Sequence, residues 1–180
     1  VAEYRHGAGR GAARLLGVTI GTGLGGGVIA GGALLRFTGQ CAGDLGHILV
    51  HPGGRRCTCG ARGCLEAMVN APALAERAGG RPVAEILEAA RRGDRNALDA
   101  LAETGRWLGL GLASLVALFA PDRIVIGGGV AAAGPLLLEP VGESYREHAA
   151  PAFRDTPLVA SEFDGWEGMV GAGSLAIDPL

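Results

Sequence analysis

The amino-acid sequence predicts an α/β or α+β domain built on one β-sheet. Three observations support this fold class: short β-branched runs punctuated by glycine at the start, amphipathic segments in the middle, and a strand–glycine–helix pattern after them. The chain has 180 residues, which is the length of one domain, or of one domain and a fragment of a second.

The first forty residues are predicted to form a β-meander. The β-branched run Leu15–Thr22 stops at glycines and predicts a buried strand, and Gly26–Gly31 and Ala33–Arg36 predict two more short strands. Gln40–Gly63 is dense in Gly, Pro, Arg and Cys, so we expect a loop there. Cys41 is expected to be a small buried residue.

Helices and further strands follow the loop. Asp94 is a suitable N-cap for a long helix that Pro121 stops near Phe119, and leucines recur along one face of it. Other helices are predicted over Leu65–Arg77, Pro82–Arg92, Pro135–Ala149 and Gly168–Ile177, and strands over Arg123–Ile126 and Pro157–Ala160.

Composition excludes several function classes. All sixteen basic residues are arginine, and a Walker-type phosphate loop or a Schiff base requires lysine. The formal net charge of −2 gives no general reason to bind nucleic acid or an anionic membrane. The longest apolar run, Trp107–Ala120, is shorter than the ~20 residues that span a bilayer. Since the chain opens with no secretory leader, we expect a cytoplasmic protein.

Two glycine-rich turns are candidates for binding phosphate. Gly21, Gly23 and Gly26 match the dinucleotide pattern G-x-G-x-x-G, but that mechanism needs a helix where Val28–Gly32 predicts a strand and a turn. The alternatives are a hairpin that presents backbone N–H groups to an anion, or a tight β-turn alone. Gly127–Gly129 lies between a strand and a predicted helix, which suits a nucleotide or a close strand–helix crossover.

A cysteine–histidine cluster predicts a structural metal site. His47 with Cys57, Cys59 and Cys64 supplies the four nitrogen and sulfur ligands of a closed tetrahedral zinc site. Nearby Arg55, Arg56 and Arg62 could offset its negative charge. The alternative is a reduced cluster without metal.

Two carboxylates flank this cluster in the sequence. If the metal holds Asp44, His47 and Glu66 in one small volume, the resulting polar pocket suits a neutral polyhydroxylated ligand. The alternative for each acid is an ordinary solvated surface charge.

These motifs together resemble one protein family. Gly46-His47, nine residues, and then C-x-C-G-x-x-G-C-x-E, preceded by V-T-I-G-T-G-L-G-G-G, is similar to the repressor–open-reading-frame–kinase (ROK) family of sugar kinases and sugar-responsive repressors. The resemblance runs from Glu3 to the end of the chain. It implies an actin-like ATPase fold of the hexokinase and ribonuclease H type, with residues 1–180 as the large C-terminal lobe and a zinc-stapled loop at 47–66.

The resemblance also implies roles for individual residues. Zinc would be bound by His47, Cys57, Cys59 and Cys64, and the sugar hydroxyls would face Asp44, His47 and Glu66. The phosphates of ATP, with Mg²⁺, would face Gly21, Thr22 and Gly23. The adenosine side of the nucleotide would face Gly127, Gly128 and Gly129. His47 would use its second ring nitrogen toward the sugar. A homodimer is suggested by the family and by the long apolar helix, although that helix could equally belong to the core.

Two departures from the family pattern bear on function. Asp44 stands where family kinases usually carry glutamate, and aspartate there also occurs in the repressor-like branch. The family's first phosphate motif and catalytic aspartate would precede Val1, so we expect no catalytic base in this chain and no turnover by these 180 residues alone. The resemblance implies ATP-dependent phosphorylation of a hexose, glucose or a close relative. The alternatives are the sugar-sensing lobe of a repressor and, less favoured, a zinc-stapled dinucleotide-binding module.

Overall fold

The protein is a mixed α/β domain with one main sheet. The computed structural model describes residues 1–37, 40–41, 44–163 and 165–177. The prediction for Cys41 concerns a side chain outside this described part. Seven strands are present among the described residues: β1 (Arg14–Ile20), β2 (Leu24–Ala30), β3 (Ala33–Leu34), β4 (Arg36–Phe37), β5 (Gln40–Cys41), β6 (Arg123–Gly127) and β7 (Leu158–Ala160).

The main sheet has five strands in the order β3-β2-β1-β6-β7. The first three are antiparallel neighbours, as the predicted meander requires, while β6 runs parallel to β1 and β7 parallel to β6. The short β4 and β5 pair separately as an antiparallel ribbon. Because β1 and β6 are parallel neighbours, the glycines that follow each strand meet at the same edge of the sheet.

Helices surround this sheet. Their bounds are α1 (Ala2–His6), α2 (Leu65–Val69), α3 (Ala71–Arg77), α4 (Val83–Arg91), α5 (Arg95–Phe119), α6 (Pro135–His148) and α7 (Glu167–Ile177). The single helix predicted over Leu65–Arg77 is broken at Asn70, whose side chain caps α3 by accepting from the Ala73 N–H at 2.9 Å. The sequence did not predict α1. Among the described residues, no helix has the length and apolarity needed to cross a bilayer.

The long helix α5 forms the centre of the core. Asp94 caps it as predicted, accepting from the Ala97 N–H at 2.8 Å. The predicted apolar face is buried against the protein's own sheet and helices, with Leu101, Leu108 and Leu112 fully inaccessible. This face therefore gives no support to the predicted homodimer, which stays a prediction.

Glycines allow α5 and α6 to pack at close range. A Cβ at Gly109 would lie 2.5 Å from the Val141 carbonyl oxygen and 2.8 Å from the Tyr145 nitrogen. Gly105, one turn earlier, faces Leu137 and Pro140 in the same way. The small residues set the distance between the two helices, because any larger side chain would meet backbone atoms.

Candidate functional site

The first glycine-rich segment is a hairpin turn. Residues 21–23 connect β1 to β2, and the antiparallel register pairs Ile20 with Leu24. The Gly21 N–H donates to the Gly23 carbonyl at 2.9 Å, and the Ala71 N–H at the start of α3 donates to the Gly21 carbonyl at 2.8 Å. A strand rather than a helix follows Gly23, which removes the dinucleotide-binding interpretation. What remains is a tight turn with an exposed Thr22 and backbone N–H groups near the sheet edge.

The second glycine segment lies directly against the first. Gly127 ends β6 and pairs with Thr19 of β1, and the Val130 N–H donates to the Ile20 carbonyl at 3.1 Å. Gly128 has φ +90, and a Cβ there would lie 2.7 Å from the Ile20 nitrogen. Gly128 thus lets the two chain segments touch. The sequence prediction that both turns lie on one sheet is confirmed in position, although their ligand stays a prediction.

A cavity opens beside the second turn. It measures about 210 Å³ and is lined by Gly127, Gly128, Gly129, Ala131, Gly134 and Ser161, among others. A 3₁₀ helix (Ala131–Ala133) separates Gly129 from α6, which begins at Pro135 as predicted. Gly134, with φ +60, lies between the two helices, where a residue with a side chain would be strained.

The predicted metal ligands converge in space. The ligand atoms of His47, Cys57, Cys59 and Cys64 all lie within 4.8 Å of one another. His47 Nδ1 is 3.7 Å from Cys57 Sγ, and the Sγ atoms of Cys59 and Cys64 are 3.6 Å apart. In a tetrahedral site with Zn–S near 2.3 Å, neighbouring ligand atoms are about 3.8 Å apart, so the group has the dimensions of a zinc site. The three cysteines are free thiols, and the donor set therefore fits a closed structural site.

The environment treats the cluster's thiols differently. Burial raises the pKa of the Cys64 thiol to about 12. A hydrogen bond from the Ala61 backbone lowers the pKa of the exposed Cys59 thiol. A metal at this site would therefore have to displace the proton of Cys64. Since Nδ1 is the ring nitrogen of His47 beside Cys57, Nε2 is the nitrogen left for a second partner.

The loop that carries the cysteines is held on α3 and α5. Its Arg55, predicted to offset the negative charge of the cluster, forms an ion pair with Glu76 of α3. The His51 ring stacks on Trp107 of α5 with the ring centroids 4.9 Å apart. His51 is exposed and takes part in this packing, and it is not among the four residues that could hold a metal.

The two predicted sugar-facing carboxylates occupy different environments. Asp44 is exposed and precedes the 3₁₀ helix Leu45–His47, with its carbonyl accepting the His47 N–H at 3.0 Å. Glu66, in the first turn of α2, is half-buried, and its Oε2 accepts the Leu24 N–H at 3.0 Å. Gly46 brings the two segments together, because a Cβ there would lie 3.1 Å from Glu66 Cβ. Sequence reasoning did not foresee the contact between Glu66 and Leu24, because nothing in the pattern links residues 42 positions apart.

Comparison with known proteins identifies the family. A model of the ROK family matches residues 1–179. The chain belongs to the ROK family. Its fold superposes on the crystal structure of a ROK family glucokinase from Streptomyces griseus in complex with glucose and AMPPNP, with a TM-score of 0.90, 37% identity, and coverage of 97% of this chain and 64% of that one. The α/β fold with a five-stranded sheet is thus the actin-like fold of ROK sugar kinases.

Both branches of the family are represented among its relatives. The chain is 36% identical to a glucokinase of Streptomyces coelicolor, over 98% of this chain and 63% of that protein. It is 33% identical to the DNA-binding transcriptional repressor Mlc of Escherichia coli, over 100% of this chain and 48% of that protein. The chain spans less than two thirds of the length of each of these relatives.

Proposed function

We propose that this chain forms the sugar- and nucleotide-facing lobe of a ROK sugar kinase that transfers phosphate from ATP to a hexose, glucose or a close relative. The observation that supports it is the convergence of three segments. The hairpin turn at 21–23 touches the second glycine turn through Ile20 and Gly128, and it touches the metal-ligand loop through Leu24 and Glu66. Phosphates bound at the glycine turns would therefore lie next to a sugar bound beside His47 and Glu66.

Each segment contributes a different part of the chemistry. The N–H groups of Thr22 and Gly23 would stabilise the charge on the transferring phosphoryl group, with Mg²⁺ bound through ATP, while the Gly21 N–H holds the turn by donating to the Gly23 carbonyl. Gly127, Gly128 and Gly129 would lie beside the adenosine, where the absence of side chains leaves the cavity of about 210 Å³ open.

The metal centre would orient the sugar. Zinc on His47, Cys57, Cys59 and Cys64 would fix the histidine ring, so that Nε2 is presented to a sugar hydroxyl. The carboxylates of Asp44 and Glu66 would accept hydrogen bonds from further hydroxyls. We assign none of these groups as the general base, since each is already assigned to binding or orienting the sugar.

The test measures binding and turnover separately. The zinc-loaded chain is titrated with glucose and with AMPPNP by calorimetry, and ADP formation from ATP and glucose is followed in a coupled assay. Binding of both ligands without ADP formation by the 180 residues alone is the expected result. Failure to bind either ligand contradicts the proposal, and turnover by this exact chain contradicts the expectation that none of the groups assigned above acts as the general base.

A second candidate is the sugar-sensing lobe of a repressor. Asp44 favours it, because the family resemblance implies that aspartate at this position also occurs in the repressor-like branch. The same titration separates the two functions: a sensing lobe binds glucose but leaves AMPPNP unbound. Asp44→Glu, which restores the residue usual in the kinases, should then change sugar affinity without creating nucleotide affinity.

A further inference from the structure

Glu66 bridges the metal-ligand loop and the glycine hairpin with one carboxylate. Its Oε2 accepts the Leu24 N–H at 3.0 Å, and its Oε1 accepts the Thr58 hydroxyl at 3.3 Å and lies 3.7 Å from Cys57 Sγ. Glu66 is half-buried, and hydrogen bonds to both of its carboxylate oxygens fix its orientation. A shift of the metal-ligand loop would therefore also shift the contact with the hairpin.

On the hairpin side, the contact fixes the turn where β2 begins. Leu24 directly follows Gly23, and a Cβ at Gly23 would lie 2.6 Å from Glu66 Oε2, so glycine is what allows this approach. The other end of the turn is held by the Ala71 N–H on the Gly21 carbonyl. Without Glu66, the end of the turn next to Leu24 would lose its side-chain anchor.

On the metal side, neighbours of the ligands surround Glu66. Thr58 lies between Cys57 and Cys59, and Gly46, which precedes His47, packs against Glu66 Cβ. Glu66 itself follows Cys64 by two residues at the start of α2. A metal ion that fixes the four ligands would therefore also fix the position of this carboxylate.

We propose that Glu66 is a positioning residue that couples metal binding by the cysteine–histidine cluster to the order of the glycine hairpin and, through it, to affinity for nucleotide phosphates. The last step rests on the proposed function, whereas the coupling to the hairpin does not. Because such coupling is reciprocal, bound metal strengthens phosphate binding by the same factor as bound phosphate strengthens metal binding.

Hydrogen–deuterium exchange of the 180-residue chain tests the first step. With metal bound, Glu66→Ala is expected to exchange its Leu24 amide about tenfold faster than the wild type, because a hydrogen bond to a charged acceptor is lost. Gly23→Ala displaces the same carboxylate from the turn side, so it should give the same increase with metal content unchanged. Glu66→Gln keeps an accepting oxygen and should restore part of the protection.

Removing the metal with a chelator completes the cycle. In the wild type, removal should accelerate exchange of the Leu24 amide, whereas in Glu66→Ala it should add little. Glu76→Gln is the matched control: it breaks the Arg55 ion pair that ties the metal-ligand loop to α3 but leaves Leu24 untouched, so it should respond as the wild type does. Amides of α5 report a general loss of stability, and they should remain protected in every metal-loaded variant.

Three exchange results would overturn the proposal. The first is unchanged protection of the Leu24 amide in metal-loaded Glu66→Ala and Gly23→Ala. The second is an equal response of this amide to metal removal in the wild type and in Glu66→Ala, and the third is no response in the wild type.

AMPPNP affinity tests the second step: the affinity should fall with Glu66→Ala in parallel with the protection of the Leu24 amide. If AMPPNP fails to bind the wild type, the proposed function is wrong while the exchange result stands. If both proteins bind it equally, only the coupling to phosphate fails.

Discussion

Replacing Gly128 with alanine should strongly destabilise this protein, while the same change at the next residue should not. Gly128 has φ +90, and its missing Cβ would lie 2.7 Å from the Ile20 nitrogen and 2.9 Å from the Ile20 carbonyl carbon. At Gly129 a Cβ would meet nothing within 4 Å. The two positions therefore make a matched pair in sequence and chemistry.

The magnitude follows from two costs at Gly128. A residue with a side chain held at this φ stores about 1–3 kcal/mol of backbone strain. The steric clash of its Cβ with the β1 backbone adds about 1–3 kcal/mol, because backbone atoms, unlike a flexible side chain, cannot move away. Together they amount to about 2–6 kcal/mol out of a total of about 5–15 kcal/mol. Gly129→Ala should instead be neutral or stabilising by about 0.4–1 kcal/mol, because it restricts the unfolded chain.

Thermal unfolding followed by circular dichroism measures the difference. For a chain of this size, Gly128→Ala should lower Tm by about 4–24 °C, at about 2–4 °C for each kcal/mol. It should also weaken AMPPNP binding at temperatures where it remains folded, since Gly128 lines the cavity beside β6. Equal Tm values for the two variants would refute the close contact between the glycine turns.

Further predictions concern the metal, the helices and pH. His47→Gln should lose its zinc by elemental analysis, whereas His51→Gln in the same loop should retain about one equivalent, because only the first removes a ligand. Zinc affinity should rise with pH in competition with a chromophoric chelator, since Cys64, whose pKa burial raises to about 12, must release its proton on binding; a flat profile would contradict this. Gly109→Ala should cost about 1–2 kcal/mol after the gain in helix propensity, while Gly173→Ala in α7, where a Cβ would meet nothing within 4 Å, should stabilise the fold. The hydrogen bond from Arg81 lowers the pKa of the Asp94 carboxyl in the folded protein. The ionised Asp94 therefore stabilises the fold above its unfolded-state pKa, and this stabilisation is lost as the pH falls through its folded-state pKa. Asp94→Asn should accordingly make the free energy of unfolding fall less steeply at acid pH.

Local sequence signals determined most of the secondary structure. The strands of the meander, the α5 helix with its Asp94 cap, and the strand before Gly127 all follow from glycine punctuation and apolar spacing, which act within a few residues. One error was a local competition that the pattern could not decide: Asn70 interrupts a helix of good formers by capping a new one.

The sequence by itself also indicated the group that could hold a metal, because four side chains of suitable chemistry lie within residues 47–64. It indicated the two glycine turns as well, because glycines directly follow two predicted strands. Only the tertiary structure decided what these parts touch. The parallel pairing of β1 with β6 brings Gly128 against Ile20, and the packing of α2 on the hairpin places Glu66 on the Leu24 N–H. Such contacts join residues far apart in the chain, and they depend on strand order and close packing, which no local pattern encodes.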